Sequence, residues 1–206
     1  MTQIIYITII AITAIDFVFD KVLDFFNDKA KSPEMPAEAE GIYDAERYAK
    51  WLAYDKANGR VSSISSSISI VISLAMLVFG GFGWIDIQLR EVTEQPVLLA
   101  LLYFGVIGLA SSIISLPFSV YSTFVIEEKF GFNKTTVKTF IMDMIKGAAL
   151  SLVIGGPLGA LIVWLFYELG DAFWIIAWGI ISLFSVFMTM FAATWIMPLF
   201  NKFTPL

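Results

Sequence analysis

Three aspartates, Asp16, Asp20 and Asp24, stand four residues apart in an otherwise apolar stretch. At helical spacing they share one face. A carboxylate row inside a membrane span is costly in contact with lipid, so it must meet protein, water or the interface. Two readings stay open: a polar inner-end face partly neutralised by Lys21, or a proton or cation path of the kind a small transporter would use. The other carboxylates with chemical promise are Glu127, Glu128 and Asp143, whose default reading is solvated loop charge. No His and no Cys occurs among the 206 residues. That removes the imidazole base, the thiolate nucleophile and the commonest zinc ligands from this chain, so no catalytic residue, metal ligand or cofactor is expected in it.

The elements that must position these residues are membrane helices. The chain is 58% hydrophobic and only 15% charged, against about 25% charged in soluble domains. Apolar runs at 3–26, 61–83, 96–118, 147–167 and 172–196 are each long enough to cross a bilayer, which takes about 20 residues. Alternation of period two is absent, so the spans are helices, and the expected fold is an all-α polytopic bundle of about five transmembrane helices. The first run has no basic residue before Lys21 and no small-x-small site, so it reads as a retained helix and not as a cleaved signal.

Of the 13 Lys and Arg residues, twelve fall in or beside loops 27–60 and 119–146 or near the C-terminal end, and only Arg90 falls opposite. The positive-inside rule then places the N-terminus outside and the C-terminus in the cytoplasm, in a bacterial inner membrane or an endoplasmic reticulum. No long basic block exists, so the partner is the lipid bilayer and no nucleic acid is expected. Within the first loop, 32–41 reads as a Pro-containing linker and 42–56 as a separate interfacial or protruding amphipathic helix. The second loop reads as a turn at 131–133 and an amphipathic approach to the fourth span. A single domain over 1–206 is expected.

Small residues recur on one face of several spans: Gly147, Ser151, Gly155 and Gly159; Ser62, Ser66, Ser69 and Ser73; and Gly105, Gly108, Ser112, Ser115, Ser119 and Ser122. Such faces predict close helix packing, within the chain or in a dimer. Gly155, Gly156 and Pro157 predict a kink or packing notch, and Pro117 a kink or end to the third span.

Two strings, E-E-K-F-G-F-N at 127–133 and P-L-F-N-K-F-T-P-L at 198–206, together with an aromatic and basic helix before the second span, resemble the N-terminal transmembrane domain of the CAAX prenyl protease 1 family. That family consists of integral-membrane zinc metalloendopeptidases. The resemblance implies a helix barrel around a water-filled chamber, which would receive the Asp16, Asp20 and Asp24 face. It implies that Asn201 and Phe203 lie beside the active site and contact peptide substrate; the plain reading of 201–203 is an exit from the fifth span. It further implies a C-terminal metalloprotease domain in cis, whose H-E-x-x-H would hold Zn²⁺. None of these 206 residues supplies that motif, so the chain alone is expected to be inactive. The rival reading is a stand-alone membrane scaffold or interaction protein with this fold.

Overall fold

In a computed structural model the described residues are 2–32, 34 and 44–200. They are helical almost throughout: α1 Thr2–Ala30, α2 Ala45–Val78, α3 Gly81–Arg90, α4 Pro96–Tyr121, a π-helical turn Ser122–Glu127, α5 Glu128–Phe130, α6 Val137–Leu150, a π turn Ser151–Gly155, α7 Gly156–Leu169, a 3₁₀ turn Gly170–Ala172, α8 Phe173–Phe191, a π turn Ala192–Ile196 and α9 Met197–Phe200.

Four continuous helical runs are long and apolar enough to cross a membrane, and the last of them is 64 residues, Val137–Phe200. At a rise of about 1.5 Å per residue it would measure roughly 96 Å, about three hydrocarbon thicknesses. Gly170, at φ +52°, turns the chain where a β-carbon would be strained, and splits this run into two legs. The result is the expected five-span all-α architecture. Among the described residues the buried apolar side chains are Leu99, Ile126, Leu165 and Ala177. Large residues such as Phe104, Trp164 and Leu183 stay exposed, as suits helices solvated by lipid.

Several boundaries depart from expectation. Of the expected separate helix and second span, the described residues 45–56 and 61–78 lie in one helix of 34 residues, Ala45–Val78, which ends at the Gly80 turn. Asp44 starts it, its side chain accepting from the Arg47 N–H at 2.7 Å, and nothing in 45–60 breaks α-helical geometry. Pro117 lies inside α4, and the helical run continues to Phe130. Its missing N–H costs one bond, which a long flanking helix absorbs.

Within the described residues of this chain, close approach is found at one of the predicted glycine positions and not at five others. A β-carbon placed at Gly105, Gly108, Gly147, Gly155 or Gly156 would meet no described atom within 4 Å, whereas at Gly159 it would touch Leu101 at 3.5 Å. Glycine spacing predicts which residues share a face, not whether a neighbour comes to it.

The chain forms two compact units, Met1–Ile85 with Gly108–Lys134, and Asp86–Ile107 with Thr135–Leu206. In the first, α1 is tied to α2 at both ends: the Tyr6 hydroxyl donates to the Leu77 carbonyl at 2.7 Å, and the Lys21 ammonium donates to the Ser63 and Ser66 hydroxyls at 2.9 Å each. In the second, Phe166 and Phe173 meet edge to face at 5.2 Å across the Gly170 turn, closing the α7–α8 hairpin. There too, Arg90 grips Asp86 with two donors, at 2.7 and 3.2 Å, and this pairing raises the Arg90 pKa.

Candidate functional site

The serines on α2 and α4 lie on facing walls of one cleft in the first unit. Ser62, Ser65, Ser66 and Ser69 recur over two turns of α2; Ser115 and Ser119 on α4, followed by Ser122, supply the other wall. The cleft measures about 500 Å³, and Tyr54, Asn58 and Glu127 complete its polar lining. Serine hydroxyls within an apolar span have no lipid partner, so a shared cavity lets them meet water or ligand. Asn58 closes one side by accepting from the Ser122 hydroxyl at 3.1 Å.

The string 127–133 builds the rim beside Glu127. Gly131 adopts φ +74°, the left-handed conformation that ends many helices. The Phe132 N–H reaches back to the Glu127 carbonyl at 2.8 Å and the Gly131 N–H to the Glu128 carbonyl at 3.0 Å. This is the paired 6→1 and 5→2 pattern of a Schellman stop. The Asn133 amide donates to the Glu128 carboxylate at 3.0 Å. The reversal sets Phe130 and Phe132 edge-on to Tyr54 at 5.6 and 4.9 Å, with the Lys50 ammonium 5.3 Å over Phe132. Glu127 and Glu128 therefore have separate tasks: one lines the cleft, the other pins the turn. Asp143 pairs with Lys146 at 3.4 Å in the second unit.

A second polar cleft, about 390 Å³, lies between α1 and α2, lined by Lys21, Asp24, Asn27, Asp28, Lys31 and Asp55 among others. Lys31 bridges Asp28, at 2.8 Å, and Asp55. Hydrogen bonds that the Lys31 ammonium donates to these carboxylates, Asp28 foremost, hold its pKa above the usual value. Of the three-aspartate face, Asp24 joins this cleft, 3.6 Å from Lys21. Asp16 and Asp20 are exposed on α1 and line neither cleft. Asn201 and Phe203 lie outside the described residues.

In the sequence the serine faces read as packing surfaces, Glu127 as a solvated loop charge and Tyr54 as part of an interfacial helix; the fold brings them, with Asn58, to one cleft. The available signal was Asn58, an amide at a membrane-span entrance one to two turns before a serine row. Among the described residues no group of three His, Cys, Asp or Glu side chains is arranged to hold a metal ion. The first cleft offers one carboxylate and a set of hydroxyls, which is not a donor set for zinc.

Residues 27–202 match the family model described as CAAX prenyl protease N-terminal, five membrane helices. The chain belongs to this family. It is 34% identical over 198 residues to a CAAX prenyl protease 1 homolog of Oryza sativa subsp. japonica, covering 92% of this chain and 47% of that protein. It is 33% identical over 207 residues to the homolog of Arabidopsis thaliana, covering 97% and 49%. The crystal structure of S. mikatae Ste24p superposes with a TM-score of 0.84 at 30% identity, over 98% of this chain and 49% of that one. The chain thus spans about half the length of the relatives it matches, and it corresponds to the membrane domain of a CAAX prenyl protease. The 127–133 string that carries the resemblance is, physically, the helix stop at the cleft rim.

Proposed function

We propose that this chain is the membrane half of a CAAX prenyl protease-like zinc metalloendopeptidase, forming part of a chamber wall and contacting the peptide substrate. The zinc chemistry belongs to an H-E-x-x-H-bearing domain in cis, because the side chains here do not suit the metal. The observation that carries this reading is the superposition on half of S. mikatae Ste24p over nearly the whole of this chain. The hydroxyl-lined cleft supports it, since Ser, Asn and Tyr side chains bind peptide amides without demanding a particular sequence. Peptide contact at Asn201 and Phe203, and a chamber-facing role for Asp16, Asp20 and Asp24, belong to the same proposal.

The N-terminus lies outside and the C-terminus in the cytoplasm of a bacterial inner membrane or an endoplasmic reticulum, on the twelve-to-one split of basic residues. Because the chain has no Cys, single cysteines at Gln3 and Lys129 report the topology by reaction with an impermeant maleimide. Labelling of Lys129→Cys from the outside, with Gln3→Cys protected, reverses the assignment. Peptide contact is tested with a photo-crosslinking amino acid at Ser65. In a fusion to an H-E-x-x-H half, a prenylated CAAX peptide crosslinks there and a free competitor peptide suppresses it. Equal crosslinking at Leu183, exposed on α8 and outside the cleft, sinks the cleft as the contact.

A further inference from the structure

Both legs of the α6–α9 hairpin carry the same irregularity. In the first leg the π turn Ser151–Gly155 ends two residues before Pro157, and in the second the π turn Ala192–Ile196 ends two residues before Pro198. A proline inside a helix gives no N–H to the carbonyl four residues back and crowds it with its ring. Those carbonyls belong to Val153 and Thr194, each the third residue of its π turn. Widening the turn there relieves the clash, and it leaves a stretch of weakened backbone bonding in each leg.

Side-chain packing differs between the two stretches: the first is largely uncovered, whereas in the second Trp195 packs on Phe187 and Phe191 at 5.6 and 5.0 Å. Leu152 and Val153 are 74% and 71% exposed, and Trp195 is 61% exposed. Gly155 and Gly156 have no described atom within 4 Å of where a β-carbon would stand, so close approach is not what glycine provides there. Phe191, where the second π turn begins, sits at φ −108°, ψ −10°, outside ordinary α geometry.

Beyond the two π turns, one side chain joins the legs. The Lys146 ammonium on α6 donates to the Leu199 carbonyl on α9 at 2.8 Å, stands 5.6 Å from the Phe200 ring centroid and pairs with Asp143 at 3.4 Å. A cavity of about 270 Å³, lined by Lys146, Ala149, Leu150, Val153 and Leu199, leaves room beside the first π turn.

We propose that α6 and α9 form one arm, latched by Lys146, that swings against the α7–α8 hairpin about two proline-registered π hinges. The inference does not depend on the proteolytic reading. With α6 about 21 Å long at 1.5 Å per residue, a change of kink of about 10°, half of what marks a sharp kink, moves its far end by about 4 Å.

Spin-label pairs in the cysteine-free chain, reconstituted in lipid nanodiscs, test it. Ile141→Cys with Leu183→Cys spans the hinges, and Ile141→Cys with Met197→Cys lies within the arm. The hinge-spanning distances are expected to spread by about 4 Å or more, or to fall in two populations, while the within-arm distances are single and narrow. P157A/P198A narrows the hinge-spanning distribution; K146M broadens the within-arm one and K146R does not. A hinge-spanning distribution in the unsubstituted chain as narrow as the within-arm one overturns the proposal, and so does indifference to P157A/P198A. If the double proline variant fails to fold, the unsubstituted distributions decide alone.

Discussion

Replacing Gly131 with alanine isolates the turn on which the cleft rim depends. Gly131 sits at φ +74°, and a β-carbon there would approach only the end of Lys50, at 3.9 Å, an ordinary contact. Sterics with neighbours therefore contribute little, and the cost is the left-handed backbone itself, about 1–2 kcal/mol for a residue with a β-carbon. Asparagine tolerates this conformation, so G131N should cost less than G131A. Gly59 supplies the opposite control. It lies inside α2, where a β-carbon meets no described atom within 4 Å, so G59A should stabilise by about 0.5–1 kcal/mol through reduced freedom of the unfolded chain. Reversible unfolding in mixed micelles, titrated with SDS and followed by Trp fluorescence, compares the variants on one scale. A neutral or stabilising G131A would refute the reasoning, because the Schellman geometry could not then be what sets the turn.

Three further outcomes follow from individual contacts. Asn58→Ala removes the acceptor for the Ser122 hydroxyl and should cost about 1 kcal/mol, while adding Ser122→Ala to it should cost little more, as a double-mutant cycle in the same micelles would measure. The Lys31 pairing with Asp28 and Asp55 raises the lysine pKa, so its stabilisation is complete below the ordinary lysine value of 10.5 and fades as pH rises through the higher folded value; unfolding midpoints between pH 8 and 12 should fall for the unsubstituted chain and lose that component in K31M. Asp44→Ala removes the cap of α2 at a cost of about 1 kcal/mol, and backbone hydrogen exchange should quicken at Glu46 and Arg47 before it does at Ser62.

The spans were legible because twenty apolar residues in a row have few destinations, and Gly131 was legible as a turn because it follows a charged helix end and precedes Phe and Asn. The extension of α2 was not, since 45–60 mixes charge with aromatics and reads as well for a separate surface helix as for a continuation. Helical spacing put Ser62, Ser66 and Ser69 on one face and Ser115, Ser119 and Ser122 on another, but it carries no information on which helix lies opposite. The same silence made Gly147 and Gly155 look like packing surfaces, although the structure leaves them open. The π turns escaped because periodicity changes by less than one residue, even though Pro157 and Pro198 marked where to look. Asp16 and Asp20 drew notice by charge, while Glu127, read as a loop residue, lines the larger cleft.

The most direct test of the membrane-half assignment is a chimera in which this chain replaces the corresponding half of S. mikatae Ste24p, purified and assayed against a prenylated CAAX peptide. The account predicts zinc-dependent cleavage by the chimera, weakened several-fold by bulky substitutions such as Ser65→Phe or Ser119→Phe in the cleft, and none by this chain alone. Cleavage by the chain alone, or a folded chimera with no cleavage at all, would contradict it.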